Sequence, residues 1–275
     1  MQMSKIIAVA NQKGGVGKTT TTVNLAASLA FMEKKVLVID FDPQANATTA
    51  LGFEMSPAFS QMNIYPVLIG QKFISQVFWQ TALQNLYLVP STHDLAGAEI
   101  ELVGSLAREF KLKHAIQEAR KEFDFIFIDC PPSLGLLTIN ALNAADSFLV
   151  PLQCEYFALE GLSQLLYTVK LVQQSLNPNL IEEGIVFTMF DRRNKLAHEV
   201  VKEVQTHFRE LVFKNMIPRN IRLSECSSFG KPILLYDMHS KGCIAYQNLA
   251  KEMLEKNEKK ACLMALPDVH LDKKG

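Results

Sequence analysis

The chain has 275 residues, and its 48% hydrophobic and 20% charged content supports one large buried core and excludes wholesale disorder. Lysine plus arginine equals aspartate plus glutamate at 28 each, so no global field draws the chain to nucleic acid, and any such binding must come from a local patch. The five cysteines (Cys130, Cys154, Cys226, Cys243, Cys262) are odd in number and form no C-x-x-C pair, which reads as reduced cytosolic thiols. Met1-Gln2-Met3-Ser4-Lys5 runs straight into the first apolar stretch and leaves no room for a signal peptide. No apolar run approaches the length of a membrane span, so a cytoplasmic location without membrane attachment is expected.

In chain order, apolar runs of the kind buried on both faces of a sheet alternate with longer stretches of helical periodicity. Strands are predicted at 5–10, 36–41, 86–90, 125–129, 148–152, 185–189 and 212–216, and helices near 18–32, 105–122, 134–145, 157–176, 195–209 and 240–258. Segment 54–85, with Pro57, Pro66, Gly70 and Trp79, is the least regular and is expected to pack around the rim. There is no internal repeat, low-complexity tract or linker. The alternation predicts an α/β fold with a doubly wound, mostly parallel sheet, helices on both faces, and ligands at the carboxyl ends of the strands. Residues 1–258 are expected to form a single domain, and 259–275 a flexible tail.

The first strand leads into Lys13-Gly14-Gly15-Val16-Gly17-Lys18-Thr19-Thr20, and a helix follows at once. Glycines let the backbone turn sharply and approach a ligand, and a helix N-terminus offers unpaired N–H groups and a positive dipole end to a polyphosphate. In a P-loop of this kind Lys18 reaches the β- and γ-phosphates and the Thr19 hydroxyl serves Mg²⁺. The first glycine of the general pattern G-x-x-x-x-G-K-[ST] would fall on Gln12, so the loop is a variant, and it carries Lys13 as an additional lysine. Asp40 and Asp42 end the second strand one residue apart, which alternation turns to the same side. Asp129, after Phe125-Ile126-Phe127-Ile128, is placed as a Walker B type acid that binds Mg²⁺ through water.

Lys-Gly-Gly-Val-Gly-Lys-Thr-Thr resembles the deviant Walker A of the ParA/MinD superfamily. Three further runs look like chromosomal ParA (Soj) proteins: Val38-Ile39-Asp40-Phe41-Asp42-Pro43-Gln44-Ala45-Asn46, Ile128-Asp129-Cys130-Pro131-Pro132, and 217–225, Ile-Pro-Arg-Asn-Ile-Arg-Leu-Ser-Glu. The similarity runs over about residues 4–256 and implies a P-loop NTPase fold and a partitioning ATPase that uses ATP and Mg²⁺. It implies that Asp40 helps orient Mg²⁺ or Thr19, and that Asp42 belongs to the switch that positions the attacking water. Lys13 is implied to cross the interface of an ATP-bound sandwich homodimer to the partner's phosphates, as an arginine finger does. Pro218 and Asn220 are implied at the adenine edge. Arg193 and Arg222 match positions that contact double-stranded DNA without sequence preference, which implies nucleoid association and release through a ParB-like partner.

This chain departs from the family at Cys226-Ser227-Ser228-Phe229-Gly230-Lys231, where Ala-Pro-Ser-His-Gly-Lys is common. A MinD-like membrane-associated positioning ATPase would need a basic amphipathic C-terminal helix, and Lys259–Lys260 followed by six apolar residues and Pro267 is too short for one. An iron-sulfur reductase, with Cys130 and Cys154 as ligands, needs two cysteines per subunit facing one axis.

Overall fold

The computed structural model describes residues 4–54 and 61–264. Seven strands form one sheet in the order β3-β4-β2-β5-β1-β6-β7. They are β1 (Lys5–Val9), β2 (Val36–Asp40), β3 (Trp79–Gln80), β4 (Leu86–Val89), β5 (Phe125–Asp129), β6 (Ser147–Gln153) and β7 (Ile181–Thr188). All neighbours pair in parallel except β3, a two-residue antiparallel edge. The doubly wound, mostly parallel sheet predicted from the sequence is therefore present.

Residues along each central strand alternate between two apolar layers, because successive side chains leave a strand on opposite faces. On β1, Ile6 and Ala8 join one core with Ile126, Ile128, Leu37 and Ile39, while Ile7 and Val9 join the other with Val36, Val38 and Phe127. The second layer is closed by α1 (Lys18–Phe31), α2 (Asn46–Ala50), α9 (Ile221–Ser228), α10 (Ile233–Tyr236) and α11 (Lys241–Met264). The first is closed by α3 (Ile64–Leu68), α4 (Leu95–Glu101), α5 (Lys111–Ala115), α6 (Leu136–Ala144), α7 (Ala158–Ser175) and α8 (Lys195–Phe208).

The structure starts the strand predicted at 185–189 earlier, at Ile181, and adds the short helices α2, α3, α4, α9 and α10; two further departures have a visible tertiary cause. Residues 212–216 are not a strand: Val212 and Pro218 make only isolated bridges to Ile185 and Phe190. Between them Glu252 takes the backbone N–H groups of Lys214 and Asn215 at 2.7 and 3.0 Å, and Pro218 has no N–H to give a ladder. The helix expected over 105–122 is broken by a left-handed turn at Ala107 (φ 52°) into two 3₁₀ turns flanking α5. Two α6 side chains satisfy the freed groups: Asn140 accepts from Leu112 N–H and donates to Arg108 O, and Asn143 donates to Glu109 O. Within 54–85, residues 55–60 lie outside the described residues, and the rest supplies α3 and β3 on the rim.

α11 continues to Met264, past the boundary expected at 258, and the tail beyond 264 lies outside the described residues. Near its C-terminal end Asn257 ties the helix to the sheet, accepting from Lys5 Nζ at 2.5 Å. Among the described residues no helix is long and apolar enough to cross a membrane.

The β6–β7 register skips one residue, since Phe148 faces Glu182 and Leu149 faces Gly184. The bulge turns Glu183 inward to Lys5 at 2.5 Å and to the Ser147 hydroxyl at 2.8 Å. A Cβ on Gly184 would stand 2.5 Å from Phe213 Cε2 and 2.6 Å from Leu211 O. Gly184→Ala is expected to lower stability by about 1–3 kcal/mol, the usual cost of overpacking, read as a shift in urea midpoint at unchanged slope; an unshifted midpoint would show that the bulge relaxes freely.

Candidate functional site

The loop between β1 and α1 is held from three sides. Asn11 donates to Pro151 O at 2.8 Å and accepts from Lys13 N–H at 3.0 Å, while Thr188 donates to Val16 O at 2.7 Å. Gly15 and Gly17 have φ of 72° and 86°, the left-handed region in which a side chain is strained. Gly17 is the cap residue of α1, so the first turn of that helix opens onto the concave side of the loop.

Two adjoining cavities meet there. One, of about 460 Å³, is lined by Gly14, Gly15, Lys18, Thr19, Thr20, Asp42, Asn46, Pro132 and Ser227. The other, of about 290 Å³, is lined by Ile217, Pro218, Asn220, Leu223 and Tyr246. Gly17, Thr20 and Met189 line both, so together they make one trough, with Lys18 and Asp42 at its more polar end and Ile217, Leu223 and Tyr246 at its more apolar end. Asn220 Oδ1 is buried at the apolar end with no hydrogen-bond partner, an unsatisfied acceptor that a ligand donor would pair.

At the polar end Lys18 is only 7% exposed and donates to Lys13 O at 3.0 Å. Burial pulls its pKa below the ordinary lysine value, and the nearby charges of Asp129 and Asp42 oppose that. Asp129 is fully buried; one oxygen accepts from the Thr19 hydroxyl at 2.7 Å and the other from Thr22 at 2.9 Å. Burial raises its pKa to about 6, against the pull of both hydroxyls. Thr19 and Asp129 thus present paired hard oxygen donors beside the loop, which suits Mg²⁺, a cation that keeps waters and substrate oxygens in place of an all-protein cage. No cluster of three or more His, Cys, Asp or Glu side chains able to hold a metal occurs among the described residues.

The two aspartates part company, because β2 ends at Asp40 and Asp42 lies in the turn beyond it. Asp42 lines the cavity beside the glycine loop and accepts from Gln44 N–H at 2.9 Å. Asp40 is fully buried beside Asp129 in the β2–β5 register, and its carboxylate accepts from Thr48 N–H and hydroxyl, both at 2.7 Å, and from Asp42 N–H at 3.2 Å. Its carboxylate therefore ties α2 and the Asp42 turn to the sheet. Burial, then the Asp129 charge, push its pKa up to about 7.

Lys13 sits at the outer lip, and its Nζ is ion-paired with Glu155, just past β6. Arg193 and Arg222 stand further along the rim, each held by its own chain: Arg193 by Asp191 at 2.8 Å, and Arg222 by Glu225 at 3.0 Å and Asp237 at 3.6 Å. The Phe190–Pro218 bridge and the bond from Arg219 N–H to Phe190 O bring the 191–195 and 219–222 runs side by side. Cys130 and Cys154 are buried, and burial raises both thiols, Cys154 to about 12, the opposite of what a thiolate cluster ligand needs.

A family model described as an AAA domain matches residues 4–182. The chain is 54% identical over 259 residues to the chromosome partitioning protein ParA of Myxococcus xanthus, covering 94% of this chain and 91% of that protein. It belongs to the ParA/Soj family. The sporulation initiation inhibitor protein Soj of Bacillus subtilis is also 54% identical, over 251 residues, 91% of this chain and 98% of its own. Among solved structures, cobyrinic acid a,c-diamide synthase from Mycobacterium smegmatis, with bound ATP analog and magnesium, is similar at TM-score 0.81 and 38% identity, over 94% of this chain and 97% of that one. ParA and Soj relatives share more of this sequence than that synthase does, so the ParA/Soj membership rests on residues beyond the common fold.

Sequence reading alone missed Thr22, Thr48, Thr188 and Glu155. The run Thr19-Thr20-Thr21-Thr22 was a visible signal for the first; the other three act across tertiary contacts that no local spacing reveals.

Asp40 and Asp129 keep protons in the folded state to about pH 7 and about pH 6, which the unfolded chain releases near 4. Between those values the folded state binds more protons, so these two groups make stability fall as pH rises. The nucleotide-free protein is expected to melt at lower temperature at about pH 8 than at about pH 5.5 on that linkage. Thermal melts across this range test it, and a melting temperature that climbs with pH would contradict it.

Proposed function

We propose that this ParA/Soj protein is an ATP-dependent partitioning ATPase of a chromosome or plasmid. Relatives carry the name chromosome-partitioning ATPase, and the observation that carries the reading here is the trough. One end has a buried lysine at a helix N-terminus with a Thr–Asp oxygen pair; the other has an orphaned amide oxygen in an apolar slot. A nucleoside triphosphate has matching chemistry, with phosphates for Lys18 and the loop amides of Gly14 to Thr20, and an exocyclic adenine amine that Asn220 Oδ1 can accept while Pro218 packs on the ring edge.

In this account Lys18 fixes the β- and γ-phosphates, Thr19 and Asp129 hold Mg²⁺, and Asp40 keeps the Asp42 turn in register. When bound, Mg²⁺ would supply positive charge that offsets the charge of the phosphates. Asp42 orients the attacking water, which suffices because phosphoryl transfer is mostly placement and charge compensation. Lys13 leaves Glu155 and reaches the phosphates of a second copy, so that ATP closes a sandwich homodimer. An exposed ion pair of this kind contributes little and is easily exchanged.

The closed dimer binds double-stranded DNA without sequence preference through Arg193, Arg222 and their neighbours Arg192 and Arg219, giving nucleoid association. A ParB-like partner stimulates hydrolysis and so releases it. The single ATPase domain runs to about residue 258, and Asn257 near that end is bonded to Lys5 of β1.

The test is a pair of variants. Asp42→Ala is expected to bind ATP and keep or raise ATP-dependent DNA occupancy while turnover falls by about 10²-fold or more, since only the water-orienting group is lost. Lys18→Ala is expected to lose nucleotide binding, turnover and DNA occupancy together. Parallel loss of turnover and DNA binding in a folded Asp42→Ala protein would reject the switch.

A further inference from the structure

Helix α9 runs beside the trough from one cavity to the other. Asn220, at its N-terminus, and Ser224 line the more apolar cavity, while Ser227 and Ser228 line the cavity beside the glycine loop together with Lys18, Thr19 and Asp42. Spacings of three and four put these positions on one helical face. Leu223 and Cys226 are buried in the second apolar layer, which fixes how the helix is turned.

The C-terminal end of α9 is clamped. It closes in a tight turn, with Gly230 N–H bonded to Ser227 O and Lys231 N–H to Cys226 O, both at 3.1 Å. Gly230, at φ 61°, rests directly on Gly52 at the end of α2, and a Cβ on either would stand 2.7 Å from the backbone of the other. Just past the turn, Ile233 N–H donates to Asn24 Oδ1 of α1 at 2.7 Å. Helix α1 carries Lys18 and Thr19, and α2 carries Asn46 and Thr49, all of which line the same cavity. The Ser227 turn is therefore fixed to the two helices that frame that cavity, so a hydroxyl on it is preorganised toward a ligand there.

Residue 227 is also a point at which this chain departs from its family, where proline is common. Proline offers neither hydroxyl nor N–H, whereas Ser227 can donate. The partner its hydroxyl has here is the sulfur of Cys226, a second departure, and sulfur is a weak acceptor. A phosphate oxygen is a far better one, since a charged acceptor makes a hydrogen bond about twice as strong as a neutral one. Ser227 shares its cavity with Lys18 and with Asp42, the group assigned to the attacking water, which places it beside the last phosphate of a bound triphosphate.

We propose that Ser227 is a terminal-phosphate contact that the common proline cannot make: its hydroxyl leaves Cys226 for an oxygen of the γ-phosphate, so that the α9 turn favours a triphosphate over a diphosphate. The inference rests on the nucleotide reading above and adds to it a residue outside the glycine-loop motif.

The probes are the non-hydrolysable triphosphate AMPPNP and ADP, each with Mg²⁺, titrated calorimetrically onto the full chain. Ser227→Ala weakens AMPPNP binding by about tenfold, equivalent to about 1.4 kcal/mol, and leaves ADP binding within about twofold of the parent. Ser227→Thr keeps the hydroxyl and holds AMPPNP binding near the parent value. The loss in Ser227→Ala persists in a Lys13→Ala background, where no second copy is recruited. Equal loss of AMPPNP and ADP, no loss of either, or a threonine variant as weak as the alanine one overturns the phosphate contact. A loss seen only with Lys13 intact assigns Ser227 to the contact between two copies and overturns it as well. A parent that binds neither nucleotide sinks the nucleotide reading itself, whereas a parent that binds both beside an indifferent Ser227→Ala sinks this inference alone.

Discussion

One buried carboxylate holds the site and the fold to each other. Asp129, the last residue of β5, accepts hydroxyls from Thr19 and Thr22, one on each oxygen, and both belong to the first turns of α1. That contact fixes the helix N-terminus over the end of the sheet. The glycine loop before it then has little choice of path, since it leaves β1 at Val9, is pinned at Val16 by Thr188 and must arrive at Lys18. A buried carboxylate lacking such donors would cost several kcal/mol and would take up a proton instead, so the threonines are what keep an acid available at this depth.

The same burial creates a site held under electrostatic tension. Lys18 is desolvated downward while Asp129 and Asp40 are desolvated upward, and each is relieved in part by local donors or by an opposite charge. Polyphosphate and a divalent cation are the species that would satisfy both signs at once, which is why the arrangement fits a bound triphosphate better than it fits empty solvent. Asp40 contributes indirectly. By holding Thr48 and the Asp42 turn it ties the position of Asp42 to the carboxyl end of a central strand instead of a free loop.

Much of this was legible in the sequence because it is local. The strand, glycine and helix succession around Lys13–Thr20 determines its own geometry, and the two-sided apolar runs at 36–41 and 125–129 could belong only to central strands. What escaped was set by distant partners. The run 212–216 reads as a strand, yet Glu252 from α11 captures its amides; 105–122 reads as one helix, yet Asn140 and Asn143 of α6 reward the broken form. Among site residues the motif positions were visible, whereas the Glu155 partner of Lys13, the Thr48 partner of Asp40 and the in-chain partners of Arg193 and Arg222 depend on chain segments that meet only in three dimensions.

The central claim is that nucleotide gates attachment to DNA, and the most direct measurement is co-sedimentation of the protein with non-specific double-stranded DNA in ATP, in ADP and without nucleotide, over a range of salt. The account predicts binding in ATP alone, weakening linearly in the logarithm of affinity against the logarithm of salt as phosphate contacts release counterions. Equal binding in all three nucleotide conditions would contradict it.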